Sequence, residues 1–297
     1  MIEYYSRRSY NDIYFLEDLI EIISFNKYHE IRNPMENQKL ILYEVKGRVA
    51  VITINRPDKA HSFNSDMLKS LHASLKEADD DEKIKCILIK STGQKFFSAG
   101  YDLKEVTGDP TNVAKIQEWG RKVNQTMILM KKPIITQIQG IAIGFGVMLI
   151  LASDLKVFAD RSKEEMYLRL PELAISAFPQ TGATLLPLMS FGFNFAKNLL
   201  YTTDKVGLIE LRNINFPTRI FQLDQLEEET LSFTKEISKY QTKFLMFVKS
   251  MLSIMDKGRI KAYFDLEDEC GKAAYNQDIN SMKDLDDFIH GLHKKYT

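Results

Sequence analysis

Several features that mark specialised proteins are scarce or absent in this 297-residue sequence. The only two cysteines, Cys86 and Cys270, cannot form a disulfide framework, and they lack the spacing of metal ligands. The 40 basic and 40 acidic residues balance, so no overall charge attracts nucleic acid. No uninterrupted apolar run is long enough to cross a membrane. We therefore expect a cytoplasmic protein that binds no nucleic acid, membrane or metal.

The first 38 residues differ in composition from the rest of the chain. Their apolar stretch, Ile13 to Phe25, is interrupted by acidic residues, which fits an amphipathic helix better than a signal peptide. Pro34 is expected to end any such helix. Residues 1–38 are thus predicted to be a helical extension. It is either a docking helix or a stretch that precedes a true start at Met35.

After residue 38 the pattern changes to short apolar segments separated by turns and amphipathic helices. Lys46-Gly47 is typical of a hairpin turn, and Asn64 or Ser65 can cap a following helix. Predicted strands cover residues 41–45, 48–54, 84–89, 134–139 and 155–159. This alternation predicts an α/β core over residues 39–200, and the mostly helical spacing that follows predicts a helical region over residues 201–297.

Two glycine-containing turns are the candidate chemical elements. The first spans residues 96–104 after a buried strand, and the second, Gly140 to Gly146, follows another strand and opens a helix. Backbone N–H groups at such junctions are unpaired, and the helix dipole favours negative charge. Two amides that converge on one oxygen form an oxyanion hole, in which one donor is worth about 3 kcal/mol. Each turn alone is weak evidence, because the second lacks the spacing of dinucleotide-binding loops and isolated glycines often serve packing.

The order of the short motifs is more specific than any one of them. Along the chain come Asn55-Arg56-Pro57, Phe97 to Leu103, Lys132 to Ile135, Gly140 to Gly146, Pro171-Glu172 and Leu200 to Lys205. This series closely resembles the crotonase superfamily, the enoyl-CoA hydratase/isomerase family, over roughly residues 40–295. The resemblance implies a spiral of ββα units followed by a C-terminal helical region that forms homotrimers, often paired into hexamers.

The resemblance also implies the ligand and the site. The substrate would be an acyl-CoA thioester, with no cofactor beyond the coenzyme A of the substrate itself. The backbone amides of Tyr101 and Phe145 would form the oxyanion hole, and Glu172 would be the catalytic carboxylate. Residues expected at the substrate site are Lys59, Ala60, His61, Ala99, Gly100, Asp102, Leu103, Gly144, Met148 and Gln180. Lys59 is either a partner of a CoA phosphate or an ordinary solvated lysine.

One departure from the family pattern bears on the reaction. Family hydratases present two glutamates, whereas this chain has Met148 at the first position and Glu172 at the second. Gln180 stands where some family isomerases carry their acid, and an amide is no general base. Hydration uses two carboxylates, while moving a double bond needs one base that removes and returns a proton. The apolar neighbours of Glu172 would raise its pKa and suit it to that task.

We therefore predict an enoyl-CoA isomerase that acts through a stabilised enolate. Two alternatives stay open at this point: an enoyl-CoA hydratase, and a non-catalytic homologue that only binds acyl-CoA. Thioester hydrolysis is a further option, since an oxyanion hole also serves acyl transfer. A second carboxylate directed into the site, for example Glu164 or Glu165, would favour the hydratase.

Overall fold

The computed structural model describes residues 39–106, 110–254, 257–275, 279 and 281–296. The predicted extension over residues 1–38 lies outside these ranges. The strands are β1 (Ile41–Lys46), β2 (Val49–Ile54), β3 (Cys86–Ser91), β4 (Phe96–Ser98), β5 (Ile134–Ile138), β6 (Ile141–Ile143), β7 (Leu155–Ala159), β8 (Tyr167–Arg169), β9 (Val206–Gly207) and β10 (Arg219–Phe221). The five strands predicted from the sequence correspond to β1, β2, β3, β5 and β7, with β3 beginning two residues later than expected.

Helices follow most of the strands. They are α1 (Ser65–Asp80), α2 (Leu103–Val106), α3 (Pro110–Leu129), α4 (Phe145–Ala152), α5 (Leu185–Thr202), α6 (Leu208–Asn213), α7 (Leu226–Ser238), α8 (Thr242–Ile254), α9 (Lys257–Tyr275) and α10 (Met282–Tyr296). Two short 3₁₀ helices cover Pro57–Lys59 and Leu173–Ile175. Among these described elements, no helix is both long and apolar enough to span a bilayer.

The strands form two sheets. The larger has the order β1-β2-β3-β5-β7-β10, in which only the β1–β2 hairpin is antiparallel. The smaller has the order β4-β6-β8-β9, with β4, β6 and β8 parallel. Each of β4, β6 and β8 directly follows a strand of the larger sheet and leads to a helix. The chain thus repeats a ββα unit, which confirms the predicted α/β spiral.

A side-chain cap and the burial of apolar residues position two of the helices. Helix α1 begins at Asn64, whose side chain accepts the N–H of Met67 at 2.8 Å and so caps the helix, as predicted. Helix α4 is buried along its whole length, from Phe145 to Ala152. Burying eight consecutive apolar residues fixes the position of the helix, and therefore of the turn that precedes it.

The region after residue 200 is less uniform than the sequence indicated. Helix α5 runs through that position, from Leu185 to Thr202, with a bend at Gly192. Two short strands interrupt the helices, because β9 pairs with β8 and β10 adds a parallel strand beside β7. The remaining described elements are helices α6 to α10, as expected. The division at residue 200 stays a prediction.

Candidate active site

The first glycine-containing turn joins β4 to α2, and its backbone is held from both sides. The Ser98 hydroxyl donates to the carbonyl of His61 at 2.9 Å and accepts the N–H of Gly100 at 3.1 Å. Gly100 has φ of +88°, a left-handed conformation that glycine adopts readily. Within the described residues, no acceptor is found for the backbone N–H of Tyr101. That amide is available to a ligand.

The second turn joins β6 to α4 through Gly144. The N–H of Gly144 donates to the carbonyl of Arg169 at 2.9 Å, and its own carbonyl accepts from Val147 (2.9 Å) and Met148 (3.2 Å). Phe145 is the first residue of the helix, where an N–H has no partner inside the helix. Its amide likewise has no acceptor in the part of the chain that the structure describes.

The two turns touch at positions that require glycine. A β-carbon on Gly100 would lie 2.8 Å from the carbonyl oxygen of Ile143 and 3.2 Å from the amide nitrogen of Phe145. A β-carbon on Gly146 would lie 2.5 Å from the carbonyl oxygen of Ser98. Both glycines therefore permit backbone-to-backbone contact between the turns. This contact brings the two available amides into neighbouring positions, as an oxyanion hole needs.

Glu172 lies next to the second turn. A β-carbon on Gly144 would be 3.5 Å from Glu172 Oε1. The residue is placed by the 3₁₀ helix that follows it, since its carbonyl accepts the N–H groups of Ile175 (3.2 Å) and Ala177 (2.8 Å). The predicted base is thus beside one of the predicted oxyanion donors.

The surroundings of the Glu172 carboxyl group suit proton transfer. The residue is only partly covered overall, yet its Oε2 is buried and has no hydrogen-bond partner among the described residues. Burial raises the pKa of Glu172 to about 7; its own backbone N–H opposes this rise and the charge of Glu267 adds to it. A carboxyl with this pKa can accept and return a proton near neutral pH.

The rings of Tyr101 and Phe145, the two residues whose amides are available, pack together. The rings of Tyr101 and Phe145 stack with centroids 4.7 Å apart, and Phe63 meets Phe145 edge-on at 5.3 Å. The Tyr101 hydroxyl donates to Thr181 Oγ1 at 3.1 Å. A β-carbon on Gly120 would fall 1.9 Å from that hydroxyl oxygen. The rings fill the space between α3 and the second turn and leave the backbone amides available.

Met148 belongs to the same packed region. It is 2% exposed, and the Thr181 hydroxyl donates to its sulfur at 3.3 Å. A thioether cannot carry a proton. Met148, which stands at the position of the first family glutamate, therefore contributes packing and no acid or base. Its assignment to the substrate site stays a prediction.

His61 and Asp102 brace the first turn. The buried His61 ring accepts the N–H of Arg56 at Nδ1 (3.1 Å) and donates from Nε2 to the carbonyl of Thr92 (2.7 Å). Acceptance at Nδ1 requires the neutral ring, and burial lowers the pKa of His61 to about 4. Asp102 forms an ion pair of 2.8 Å with Arg56. Their observed contacts are structural, and a direct role in binding substrate stays a prediction.

The other residues predicted to bind coenzyme A lie around the same turn. The carbonyl of the buried Ala60 accepts the N–H of Ala99 at 2.9 Å, and Ala99 is partly exposed. Leu103 is 36% exposed at the start of α2. Partial burial and the nearby Lys104 lower the pKa of Lys59. The structure brings these residues together, and their contact with coenzyme A stays a prediction.

Gln180 occupies a junction between helices. It is 9% exposed and accepts the side-chain amide of Gln117 at 2.7 Å. A β-carbon on Gly271 would lie 2.2 Å from Gln180 Nε2, so helix α9 packs directly on it. Gln180 therefore links α3 to α9 and sits one residue before Thr181.

Glu164 and Glu165, considered from the sequence as a second carboxylate in the site, are both exposed. Glu165 pairs with Arg161 at 2.8 Å and is exposed, as is Glu164. A different residue, Glu267 on α9, is 3% exposed and raises the pKa of Glu172 through its charge. Sequence reasoning missed Glu267, because only the tertiary packing of α9 brings it to Gly182 and Leu185, which lie 85 and 82 positions earlier.

A cavity of about 420 Å³ lies elsewhere on the molecule. Its walls come mainly from α5, β9 and the segment between them, including Asn198, Thr203 and Lys205. It contains none of the residues predicted for the acyl-CoA site. Across the described residues, no group of three His, Cys, Asp or Glu side chains is placed to hold a metal ion.

Comparison with known proteins identifies the family of this chain. The "Enoyl-CoA hydratase/isomerase" family model matches residues 44–294. The short-chain-enoyl-CoA hydratase of Clostridium acetobutylicum is 28% identical over 205 residues, which cover 69% of this chain and 75% of that protein. The 1,2-epoxyphenylacetyl-CoA isomerase of Escherichia coli is 25% identical over 235 residues, covering 77% and 87%.

Solved structures share the fold. The enoyl-CoA hydratase from Bacillus anthracis superposes with a TM-score of 0.69 at 24% identity, covering 86% of this chain and 97% of that one. An enoyl-CoA hydratase/isomerase from Mycobacterium paratuberculosis gives 0.70 at 24% identity, covering 78% and 92%. Because the family model spans nearly all of the described residues, the chain belongs to the enoyl-CoA hydratase/isomerase family.

Proposed function

We propose that this acyl-CoA-processing enzyme shifts the double bond of an enoyl-CoA from the 3 to the 2 position. The thioester oxygen of the substrate accepts hydrogen bonds from the amides of Tyr101 and Phe145. Glu172 removes a proton from C2, and the electron pair moves through the C3–C4 double bond and the carbonyl to give a dienolate. Glu172 then returns the same proton to C4, which places the double bond between C2 and C3. No oxidant, reductant or water is consumed.

The observation that carries the proposal is the Glu172 carboxyl group itself. It lies beside Gly144, its Oε2 is buried and unpartnered within the described residues, and its pKa is raised to about 7. A base that must both take and release a proton works best when its pKa is close to the working pH. Met148, at the position of the first family glutamate, supplies no proton.

Hydration is the second candidate, and the relatives' names support it. The proteins from Clostridium acetobutylicum and Syntrophomonas wolfei are named hydratases. A hydratase must place a water molecule and deliver a proton. In this chain Glu172 would have to perform both steps. The reaction products distinguish the two activities.

The test uses two substrates and one matched pair of variants. Purified protein is mixed with a 3-enoyl-CoA or with a 2-enoyl-CoA, and the products are separated by chromatography. The proposal expects conversion of the 3-enoyl to the 2-enoyl thioester, and a loss of about 10²- to 10⁴-fold in Glu172→Gln. Glu165→Gln, at an exposed site, is the control. Faster water addition to the 2-enoyl-CoA would favour the hydratase, and binding without turnover would favour a non-catalytic homologue.

We further propose that the chain assembles as a homotrimer or a hexamer. Helix α8 presents an exposed apolar face, with Phe244, Phe247, Val248, Met251 and Leu252 each at least 53% exposed. A contiguous apolar face of this kind marks an interaction surface. A cytoplasmic location, expected from two isolated cysteines, stays a prediction.

A further inference from the structure

The Thr181 hydroxyl joins two residues of the predicted site. It accepts the Tyr101 hydroxyl at 3.1 Å and donates to the sulfur of Met148 at 3.3 Å. Because a thioether sulfur can only accept a hydrogen bond, the single hydroxyl proton of Thr181 is directed to Met148. The remaining bond must then be donated by Tyr101. The three side chains therefore form one chain of hydrogen bonds with a fixed direction, from Tyr101 through Thr181 to Met148.

Thr181 is itself held firmly in place. It is 1% exposed, and its carbonyl accepts the side-chain amide of Asn124, a fully buried residue of α3, at 2.7 Å. Its φ of +62° is a left-handed conformation, which costs a β-branched residue free energy. Such a conformation persists only where surrounding contacts impose it. The Thr181 hydroxyl is thus a fixed anchor point for the ring of Tyr101.

Tyr101 is restrained at both its backbone and its ring. Phe63 donates its N–H to the carbonyl of Gly100 and accepts the N–H of Asp102, each at 2.8 Å. These bonds hold the residues on either side of Tyr101, whose own amide has no acceptor in the described part of the chain. The Tyr101 ring stacks on that of Phe145 with centroids 4.7 Å apart. The anchored hydroxyl fixes the far end of this ring, and therefore the stack that joins the two residues whose amides are available.

We propose that Thr181 is a positioning residue: by anchoring the Tyr101 side chain, its hydroxyl keeps the Tyr101 amide aligned with the Phe145 amide on the thioester oxygen. Thr181 acts on the reaction only through Tyr101. Met148, at the position of the first family glutamate, serves as the acceptor that sets the direction of the hydrogen bonds. The inference rests on the proposed oxyanion hole, and it adds the residue that aligns one of its two donors.

Infrared spectroscopy of bound butyryl-CoA, labelled with carbon-13 at the thioester carbonyl, reads this alignment. The ligand is saturated and cannot be isomerised, and its carbonyl stretch moves to lower frequency as the two amides polarise the bond. Tyr101→Phe and Thr181→Val each remove one side of the same hydrogen bond, so both should return the frequency towards that of free butyryl-CoA. Thr181→Ser keeps the hydroxyl and should retain the wild-type frequency.

Tyr43→Phe is the matched control for the loss of a tyrosine hydroxyl. The Tyr43 hydroxyl, on strand β1, is buried and has no hydrogen-bond partner among the described residues. Its removal should leave the carbonyl frequency unchanged. A loss that affects folding alone would not move this frequency in the bound ligand, which separates a positioning role from a merely structural one.

Kinetics with a 3-enoyl-CoA gives the size of the effect. Tyr101→Phe should lower kcat by roughly 3- to 10-fold with little change in KM, because one hydrogen bond is lost and the oxyanion contact is strongest in the transition state. If Thr181→Val does not fold, Tyr101→Phe decides alone, since it breaks the same bond from the other side.

The outcomes separate this inference from the proposed reaction. The expected frequency shifts without any isomerisation would overturn the reaction and support the positioning role. An unchanged frequency in a folded Tyr101→Phe protein with bound butyryl-CoA would overturn the inference, whether or not isomerisation occurs. A wild-type frequency equal to that of free butyryl-CoA would overturn both the oxyanion hole and the role of Thr181.

Discussion

The carboxyl oxygen Oε1 of Glu172 lies 3.5 Å from the position that a β-carbon on Gly144 would occupy. Gly144 has φ of +53° and ψ of −120°, a conformation that side chains rarely adopt. The predicted base and the turn that presents the Phe145 amide are therefore adjacent, and only glycine permits the backbone to pass there without strain.

Gly144→Ala tests this relationship. The backbone must either keep a conformation that costs on the order of 1–3 kcal/mol or rotate and move the Phe145 amide. We expect kcat/KM to fall by roughly 10²-fold, since a small misplacement of a donor has effects of that size. Gly47→Ala is the control, because Gly47 has φ of +70° in the β1–β2 hairpin and not in the predicted site. This variant measures the effect of backbone strain without displacing the Phe145 amide. Equal activity loss in both variants would contradict a local effect.

Glu172→Gln is expected to change the pH dependence of stability. The folded-state pKa is about 7 and the ordinary value is 4.5, so between these pH values the folded protein binds more protons than the unfolded chain. Stability contributed by Glu172 is therefore present below pH 4.5 and is lost as the pH rises towards 7, by about 3 kcal/mol in total. Urea unfolding at pH 8 should show the glutamine variant to be more stable than wild type.

The same comparison at pH 4 provides its control. There the wild-type carboxyl is largely protonated in both the folded and the unfolded states, because pH 4 lies below both pKa values, and the stabilities of the two proteins should nearly coincide. A glutamine variant that is less stable than wild type at pH 8 would show that the carboxylate is well solvated or well paired.

Gly120→Ala tests the packing of the Tyr101 side chain. The new methyl would fall 1.9 Å from the Tyr101 hydroxyl oxygen and 3.0 Å from its Cζ. Alanine favours a helix over glycine by about 1 kcal/mol. The steric overlap with Tyr101 should outweigh this gain and destabilise the protein by roughly 1–3 kcal/mol. Denaturant unfolding measures the difference. In a Tyr101→Phe background the loss should be smaller, because the nearest atom is gone; an equal loss in both backgrounds would contradict the contact.

Phe247→Glu tests the proposed assembly. Phe247 is 61% exposed at the centre of the apolar face of α8. A buried charge without a partner is strongly unfavourable, so light scattering after size exclusion should show a smaller species than wild type. Val45→Glu, at a 48% exposed position on β1, is the control. An unchanged mass for Phe247→Glu would place the interface on another surface.

Features that depend on residues close together in the chain could be predicted from the sequence. The cap at Asn64 and the strands β1 to β3, β5 and β7 follow from capping chemistry and apolar runs. The hairpin was predicted with its turn at Lys46-Gly47, and the turn lies one residue later, at Gly47-Arg48. The motif order identified the family and pointed to Glu172. The short strands β4, β6, β8, β9 and β10 were missed, because two or three residues carry no periodic pattern and are fixed only by the strands they join.

Contacts between distant segments could not be predicted in the same way. Nothing in the sequence around Glu267 indicates that its carboxylate would cap α5, since that contact depends on how α9 packs. The stacking of Tyr101 on Phe145, and the space that Gly120 leaves for the tyrosine hydroxyl, likewise join residues that lie 19 to 44 positions apart.

The central claim is that two backbone amides and one glutamate together allow an acyl-CoA to lose a proton from the carbon beside its thioester. Deuterium exchange measures this step directly, whether the final product arises by isomerisation or hydration. A saturated acyl-CoA is incubated with the protein in heavy water and analysed by mass spectrometry. Deuterium should enter at C2 with wild type and at least 10²-fold more slowly with Glu172→Gln. Exchange at the same rate in both proteins would contradict the account.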